Sequence, residues 1–204
     1  MIKHMIFDCG KVLVTYDEVY IASYFTENAE DAELLGRVGM ARKYWDAFDQ
    51  GTLEVEDYKR AVKAELPERL HENIDRLYDG WIDHCDPIPG MDAIVRGVKE
   101  YCDVYLLSNF NKKLRNELYK IPVLADFDAL VISAEIGMTK PSEGIYRYLL
   151  DTYGLDADEC LFVDDNAANI AGCEAVGIHG YLFDGDVEKL AEYLRSIGCL
   201  AKEV

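Results

Sequence analysis

The apolar positions of this chain change period as it runs. Near the start, Met5, Ile6 and Phe7 form a short continuous run that closes on Asp8 and then Gly10, the profile of a buried strand ending in a turn. From residue 17 to about 82 no β-like run occurs. The segments "DEVYIASYFTEN", "DAELLGRV", "RKYWDAFDQ", "VEDYKRAVKAEL" and "ERLHENIDRLYDGW" read instead as helices. "DPIPG" (86–90) ends this region, because two prolines and a glycine cannot continue a helix and make a stiff hinge.

After the hinge, β-like runs alternate with helix-period segments, as in a parallel sheet flanked by helices. The predicted strands are "DVYLLS" (103–108), "DALVIS" (128–133), "CLFVDD" (160–165) and "IHGYLF" (178–183). Met91, Ile94, Val95 and Val98 fall at helical spacing, as do Ile145, Tyr148, Leu149 and Thr152, and Val187, Leu190, Leu194 and Ile197. Gly154, Gly177 and Gly198 stand where helix stops belong. The expected fold class is α/β, a three-layer parallel-sheet core formed by residues 1–16 and 86–204, with an all-helical insertion at 17–85. No internal repeat or low-complexity segment is evident.

Half of the 204 residues are apolar, enough for a full core, and the length suits one domain with a sizeable insertion better than two independent domains. No apolar run approaches bilayer-spanning length. The apolar part of "MIKHMIFDCG" is too short, and too soon interrupted by Asp8, for a secretory leader, so a cytoplasmic protein is expected. Cysteines at 9, 85, 102, 160, 173 and 199 contain no CxxC pair and indicate neither a disulfide framework nor a zinc site. A formal charge of −18 argues against nucleic acid and anionic membranes as partners. A phosphorylated small molecule remains compatible with that charge where a cation or a placed lysine reverses the local potential.

The chemistry gathers at strand ends. Asp8 closes the first strand, where open α/β sheets bind ligands, while Cys9 on the opposite face reads as a packing thiol. "LLSNFN" ends a second strand on Ser108 and Asn109; "GMTKPSEG" sets Lys140 before a proline-initiated helix; "LFVDDNAANI" ends another strand on Asp164 and Asp165, with Asn169 a turn later. Each has an ordinary structural account: Asp8 as a turn aspartate, Ser108 as a cap, Lys140 as a solvated loop cation, the acid pair as helix-dipole caps. Four strand ends bearing such groups by coincidence is the weaker explanation. Converging ends would bring Asp8, Asp164 and Asp165 together, and such carboxylates repel unless a cation sits among them. Oxygen donors of this kind suit Mg²⁺.

These residues, in this order, resemble the haloacid dehalogenase-like hydrolase superfamily, whose motifs are a strand-one aspartate, Ser/Thr, Lys and an acidic pair. "FDCGKVLV", "LLSNFN", "SAEIGMTKP" and "FVDDNAANIAGCEAVGI" carry the match, including the S-x-E-x-G-x-x-K-P run from Ser133 to Pro141. The resemblance covers nearly the whole chain, implies a Rossmann-like core, and makes residues 17–85, with "YWDAFDQGTLEVEDYKRAV", look like the family's helical cap.

The resemblance implies an Mg²⁺-dependent phosphatase acting on a small phosphorylated metabolite. Asp8 would attack phosphorus to form an aspartyl-phosphate. Ser108 and Asn109 would contact the phosphoryl group, and Lys140 and the backbone N–H groups of Cys9 and Gly10 would offset its charge. Asp8, the Gly10 carbonyl and Asp165 would hold the metal, with Asp164 binding through a metal water and Asn169 supporting it. Arg42, Tyr44 and Trp45 are candidate substrate contacts, with Trp45 and Phe48 equally suited to the cap's own core.

One position departs from the family's D-x-D: its second aspartate, which protonates the leaving oxygen and later activates water, is Gly10 here. A positioned acid or base is worth roughly a hundredfold to ten-thousandfold. A branch with sugar-1-phosphate phosphatases reads F-D-x-G-x-V at this site and is the nearest likeness, which implies a substrate with a comparatively good leaving group, such as a hexose 1-phosphate. The alternatives are a metal-independent 2-haloacid dehalogenase and a phosphate-binding regulatory protein that has lost turnover. A response-regulator receiver is disfavoured by motif order and by the helical insertion. His84, near the hinge, reads either as a solvated linker residue or as a substitute for the missing acid. Oligomeric state leaves no trace in the sequence.

Overall fold

The computed structural model describes residues 1–201. The chain opens with β1 (His4–Phe7) and then runs through the helices α1 (Glu18–Ser23), α2 (Ala29–Gly39), α3 (Arg42–Asp49), α4 (Val55–Glu65) and α5 (His71–Gly80). It returns through α6 (Met91–Lys99), β2 (Asp103–Ser108), α7 (Lys113–Asn116), β3 (Ala129–Ile132), α8 (Ser133–Ile136) and α9 (Glu143–Tyr153). The last elements are β4 (Cys160–Asp164), α10 (Ala167–Glu174), β5 (His179–Leu182) and α11 (Val187–Ser196).

The five strands pair in parallel in the order β3-β2-β1-β4-β5, so β1 is central. The alternation of a pleated strand divides its side chains between two cores. Met5 and Phe7 lie level with Val104 and Leu106 on one neighbour and with Leu161 and Val163 on the other, and all six join one buried cluster with Val95, Val98, Leu190 and Leu194. Ile6, Tyr105, Leu107 and Phe162 face the other way, onto Ile145, Tyr146, Leu149 and Cys173. Both faces are covered, as in a three-layer α/β fold. Strand order reverses between β1 and β4, which opens a crevice at their carboxyl ends. Phe7 pairs with Val163 and with Leu106, so Asp8 comes level with Asp164 and one residue short of Ser108.

The strands begin or end up to one residue inside the predicted limits. In α9 the inward face is Ile145, Tyr146 and Leu149, whereas Thr152 is exposed and Tyr148 only partly buried. Tyr146 takes the inner position because its hydroxyl donates to the Asn169 carbonyl (2.8 Å), tying α9 to α10. All six cysteines are buried free thiols. Among the described residues, no helix is long and apolar enough to cross a membrane.

Residues 18–84 are helical and strand-free. Asp17 caps α1 by accepting from the Tyr20 amide, and Asn28 caps α2 by accepting from Asp31. Trp45, Phe48, Tyr58, Ile74, Leu77 and Trp81 are buried together. The two chain crossings between this segment and the sheet run side by side. Val14 bridges Pro87, the Thr15 amide donates to the Asp86 carbonyl (2.7 Å), and the Ile88 amide donates to Leu13 (2.9 Å). An aromatic chain continues the join: Trp45 meets Trp81 edge-on at 4.9 Å, and Trp81 stacks on Phe110, just past β2, at 5.1 Å.

Candidate active site

Three strand ends and one loop meet around the Asp8 carboxylate. Its Oδ1 accepts from the Ser108 hydroxyl at 2.8 Å and from the Cys9 amide at 2.7 Å, and lies 2.8 Å from the Lys140 Nζ. Lys140 also donates to Asp164 Oδ2 at 2.7 Å, so one ammonium with a side chain 1% exposed bridges two buried carboxylates. Burial alone would lower the lysine's pKa. Asp8 and Asp164 outweigh it and hold the ammonium above its ordinary range. Burial pushes the Asp8 carboxyl up to about 6, Lys140 opposing and Asp164 adding to the rise.

Asp164 is fully buried and saturated with donors. Besides Lys140 it accepts from the Asn166 amide at 2.8 Å, and the Asn169 side chain lies 3.0 Å from both its oxygens. Asp165, the next residue, is half-buried and lines the cleft, with its carboxyl raised by burial and by Asp164. Ligand oxygens of Asp8, Asp164 and Asp165 lie within 4.8 Å of one another. Asn109 engages the loop that carries Lys140, its Nδ2 donating to the Lys140 carbonyl (2.9 Å) and its Oδ1 accepting from the Lys140 amide (2.8 Å). In this arrangement it positions the lysine.

The cleft above these groups measures about 580 Å³ and is closed on its far side by the helical segment. Arg42 and Trp45 line it, although Trp45 is also core and its indole N–H donates to the Gly39 carbonyl at 3.2 Å. Tyr44 does not reach the cleft; its hydroxyl donates to Glu65 (2.6 Å) and its ring abuts Tyr58, because it faces α4. His84 is likewise outside the cleft lining, stacked on Tyr24 at 3.8 Å and edge-on to Phe25. It is therefore partly buried against these rings and does not face the cleft that holds Asp8.

Several lining residues were not singled out in the sequence. Lys11 follows Gly10 in a left-handed conformation (φ 59°), a strained state for a residue with a side chain. Tyr16, Glu18 and Asp49 also face the cleft. Burial, with Asp46 and Asp8 adding to it, pushes the Asp49 carboxyl up to about 7. The Trp81 Nε1 and Asn111 Nδ2 are buried donors with no partner among the described residues, and both residues line this cleft.

The model of the haloacid dehalogenase-like hydrolase family matches residues 2–177. A sesquiterpene phosphatase from Aspergillus oryzae is 26% identical over 201 residues, 97% of each chain. Among solved structures, a haloacid dehalogenase family enzyme from Bacteroides thetaiotaomicron, in complex with magnesium and inorganic phosphate, superposes with a TM-score of 0.69 at 20% identity, covering 93% of this chain and 99% of the other. An L-2-haloacid dehalogenase from Xanthobacter autotrophicus with covalently bound chloropropionic acid also superposes with a TM-score of 0.69, at 19% identity, covering 99% and 85%.

Proposed function

The chain belongs to the haloacid dehalogenase-like hydrolases, and from that premise we propose that it is an Mg²⁺-dependent phosphatase acting on a small phosphomonoester through an aspartyl-phosphate on Asp8. One observation carries the reading: three carboxylates within 4.8 Å of one another at the mouth of a cleft, with a lysine bonded to only two of them. The donor set is all oxygen and partly buried, which fits a hard divalent cation and gives no nitrogen or sulfur for a softer one. Asp8, Asp165 and the Gly10 carbonyl would hold Mg²⁺, with Asp164 behind them. When bound, the ion supplies positive charge that neutralises the carboxylates and polarises the phosphoryl oxygens.

The protein's own groups do the rest. An Asp8 oxygen attacks phosphorus in line with the leaving oxygen, and the phosphoryl group is carried on the carboxylate until water releases it. Ser108 reorients its hydroxyl from Asp8 to a phosphoryl oxygen. Lys140 stays charged throughout and offsets the charge gained by the reacting group. The Cys9 and Gly10 amides donate to the same oxygens. The helical segment acts as a cap that shields the reaction from bulk water and contacts the leaving group.

The leaving group is an oxygen-rich alcohol such as a hexose, and a hexose 1-phosphate is the favoured substrate. Two unpartnered buried donors, on Trp81 and Asn111, support this, because hydroxyl or ring oxygens would satisfy them. The phosphatase relative and the magnesium and phosphate complex of the fold neighbour support the phosphoryl chemistry. A dehalogenase shares the fold but would leave the carboxylate cluster without a purpose. A phosphate-binding protein without turnover would not need Ser108 and Lys140 both bonded to Asp8.

The test is a screen of phosphorylated metabolites with Mg²⁺, run beside Asp8→Asn and beside EDTA. Turnover should vanish in both controls, and glucose 1-phosphate should outrun simple alkyl phosphates. Undiminished turnover in Asp8→Asn would remove the covalent route, and EDTA-resistant release of halide from 2-chloropropionate would favour the dehalogenase.

A further inference from the structure

Gly10 leaves the reaction without the acid and base that D-x-D would supply, and the structure gives no steric reason for the glycine. Gly10 does not have a positive φ, and a Cβ built on it would meet only Tyr16 Cβ, at an ordinary 3.9 Å. The space beside Asp8 is therefore left to a group from elsewhere. Taking the phosphatase reading as its basis, we propose that Asp49, at the end of α3 in the helical segment, is the catalytic acid and base of both half-reactions.

Placement is the first ground. Asp49 lines the same cleft as Asp8 and Gly10, and its carboxylate makes no hydrogen bond or ion pair among the described residues. The other free-standing candidates fit less well. Asp46 is exposed and pairs with Arg42 at 3.7 Å. Asp165 is assigned to the metal. Tyr16 is held protonated by burial, which suits an acid but not a base.

Fixation is the second ground. Gly51, two residues past Asp49, has φ +70°, and a Cβ there would lie 2.6 Å from the Ala134 carbonyl oxygen. The turn that ends α3 thus rests directly on the α8 backbone, and α8 opens the Ser133–Pro141 run that delivers Lys140. Asp49 is carried by the helical segment yet anchored to the core beside the reacting groups. Arg42 and Asp46 face it from its own helix, and Asp8 and Lys140 from the core; Lys11, Glu18 and Asp165 share the cleft. In this setting its carboxyl stands at about 7, so both protonation states are populated near neutral pH, as a group that gives and then takes a proton requires.

The steps balance. As the Asp8 oxygen bonds to phosphorus and the P–O bond to the alcohol breaks, the Asp49 carboxyl proton passes to the departing oxygen, leaving alcohol, aspartyl-phosphate and ionised Asp49. Water then bonds to phosphorus as the bond to Asp8 breaks. One of its protons goes to Asp49, which regenerates the Asp8 carboxylate and the Asp49 acid and releases inorganic phosphate.

The experiment compares wild type, Asp49→Asn, Asp49→Ser, Glu18→Gln and Gly10→Asp/Asp49→Asn with Mg²⁺ and p-nitrophenyl phosphate, whose leaving group needs no proton. Removing the base should leave phosphoenzyme formation intact and slow its hydrolysis. Asp49→Asn and Asp49→Ser should give a stoichiometric burst of nitrophenolate, trapped phosphoenzyme and a steady-state kcat about a hundredfold lower. With a hexose phosphate the burst step should slow as well. Gly10→Asp in the Asp49→Asn background should recover at least tenfold. Asp49 variants within threefold of wild type, a lower kcat with neither trapped phosphoenzyme nor rescue, or the trap appearing in Glu18→Gln instead, would each overturn the assignment while leaving the phosphatase reading intact. A wild-type protein that neither turns over any phosphomonoester nor forms a phosphoenzyme would overturn both.

Discussion

Replacing Lys140 with methionine isolates what the buried ammonium does for the fold. The lysine contacts Asp8 at 2.8 Å and Asp164 at 2.7 Å, with its side chain 1% exposed. Methionine keeps most of the volume and removes the charge. Two carboxylates are then left to face each other within 4.8 Å, which at an effective dielectric of about 20 is a repulsion of about 3.5 kcal/mol. Breaking a buried ion pair by removing one partner typically costs 3–5 kcal/mol, the same range. For a domain of this size about 4 kcal/mol corresponds to a fall in Tm of about 8–16 °C. The measurement is thermal unfolding of Lys140→Met and wild type at pH 8 without divalent ions, repeated at pH 5 and again with Mg²⁺. The deficit should shrink at pH 5, because the Asp8 carboxyl, already raised to about 6 beside the lysine, rises further without it and protonates. Mg²⁺ should recover part of the loss at pH 8 by binding only the folded state. A variant melting within 2 °C of wild type at pH 8 would mean that Lys140 does not neutralise these carboxylates, and the electrostatic account of the site would fall with it.

Three further outcomes follow from named groups. Asp49→Asn should be more stable than wild type at pH 8 and equal to it near pH 4: the Asp49 carboxyl stands at about 7 against 3.8 ordinarily, so the folded state binds the proton more tightly and loses stability as pH rises through that window. The full shift is worth about 4 kcal/mol and partial exposure reduces it to about 2 kcal/mol, readable in metal-free melting curves. Gly51→Ala should lose about 2–4 kcal/mol in denaturant unfolding, from the left-handed backbone and from a Cβ 2.6 Å from the Ala134 oxygen, and should lower kcat more than it raises KM. Trp81→Phe removes a buried N–H that has no partner among the described residues; stability should hold within about 1 kcal/mol, while KM rises about tenfold for a hexose phosphate and less for p-nitrophenyl phosphate.

The sheet and its strand-end groups were legible because both obey local rules. A buried parallel strand is a continuous apolar run, and a polar residue at its end has nowhere to go but the crevice. Asp8, Ser108 and Asp164 follow from that logic, and the register of β1 against its neighbours brings them level. Asn169 was legible as support because one helical turn returns it to Asp164. What stayed hidden is what depends on where the helical segment packs. Whether Tyr44 or Asp49 of the same helix meets the cleft is decided by α4 and by the contact of Gly51 with Ala134, neither of which leaves a periodic mark. The division of labour within the acid pair came only from the family resemblance and not from local pattern, since burial and the Lys140 bridge are what set Asp164 apart from its neighbour.

The charge of the cleft constrains the order in which it can work. Asp8, Glu18, Asp46, Asp49 and Asp165 face it against Lys11, Arg42 and Lys140, and the chain as a whole carries −18. Lys140 is already shared between Asp8 and Asp164, and Arg42 is paired with Asp46, so an incoming phosphate meets little free positive charge. A cation bound at the carboxylates changes that balance where the phosphoryl group must sit, and raising Asp49 to about 7 removes one more negative charge in its protonated form. On the proposed reading, metal binding and the protonation of Asp49 thus serve the same end, admission of an anion to an acidic site. Substrate affinity should therefore rise with Mg²⁺ and fall as pH passes above 7, and an affinity for inorganic phosphate indifferent to both would mean that the anion is held by groups other than these.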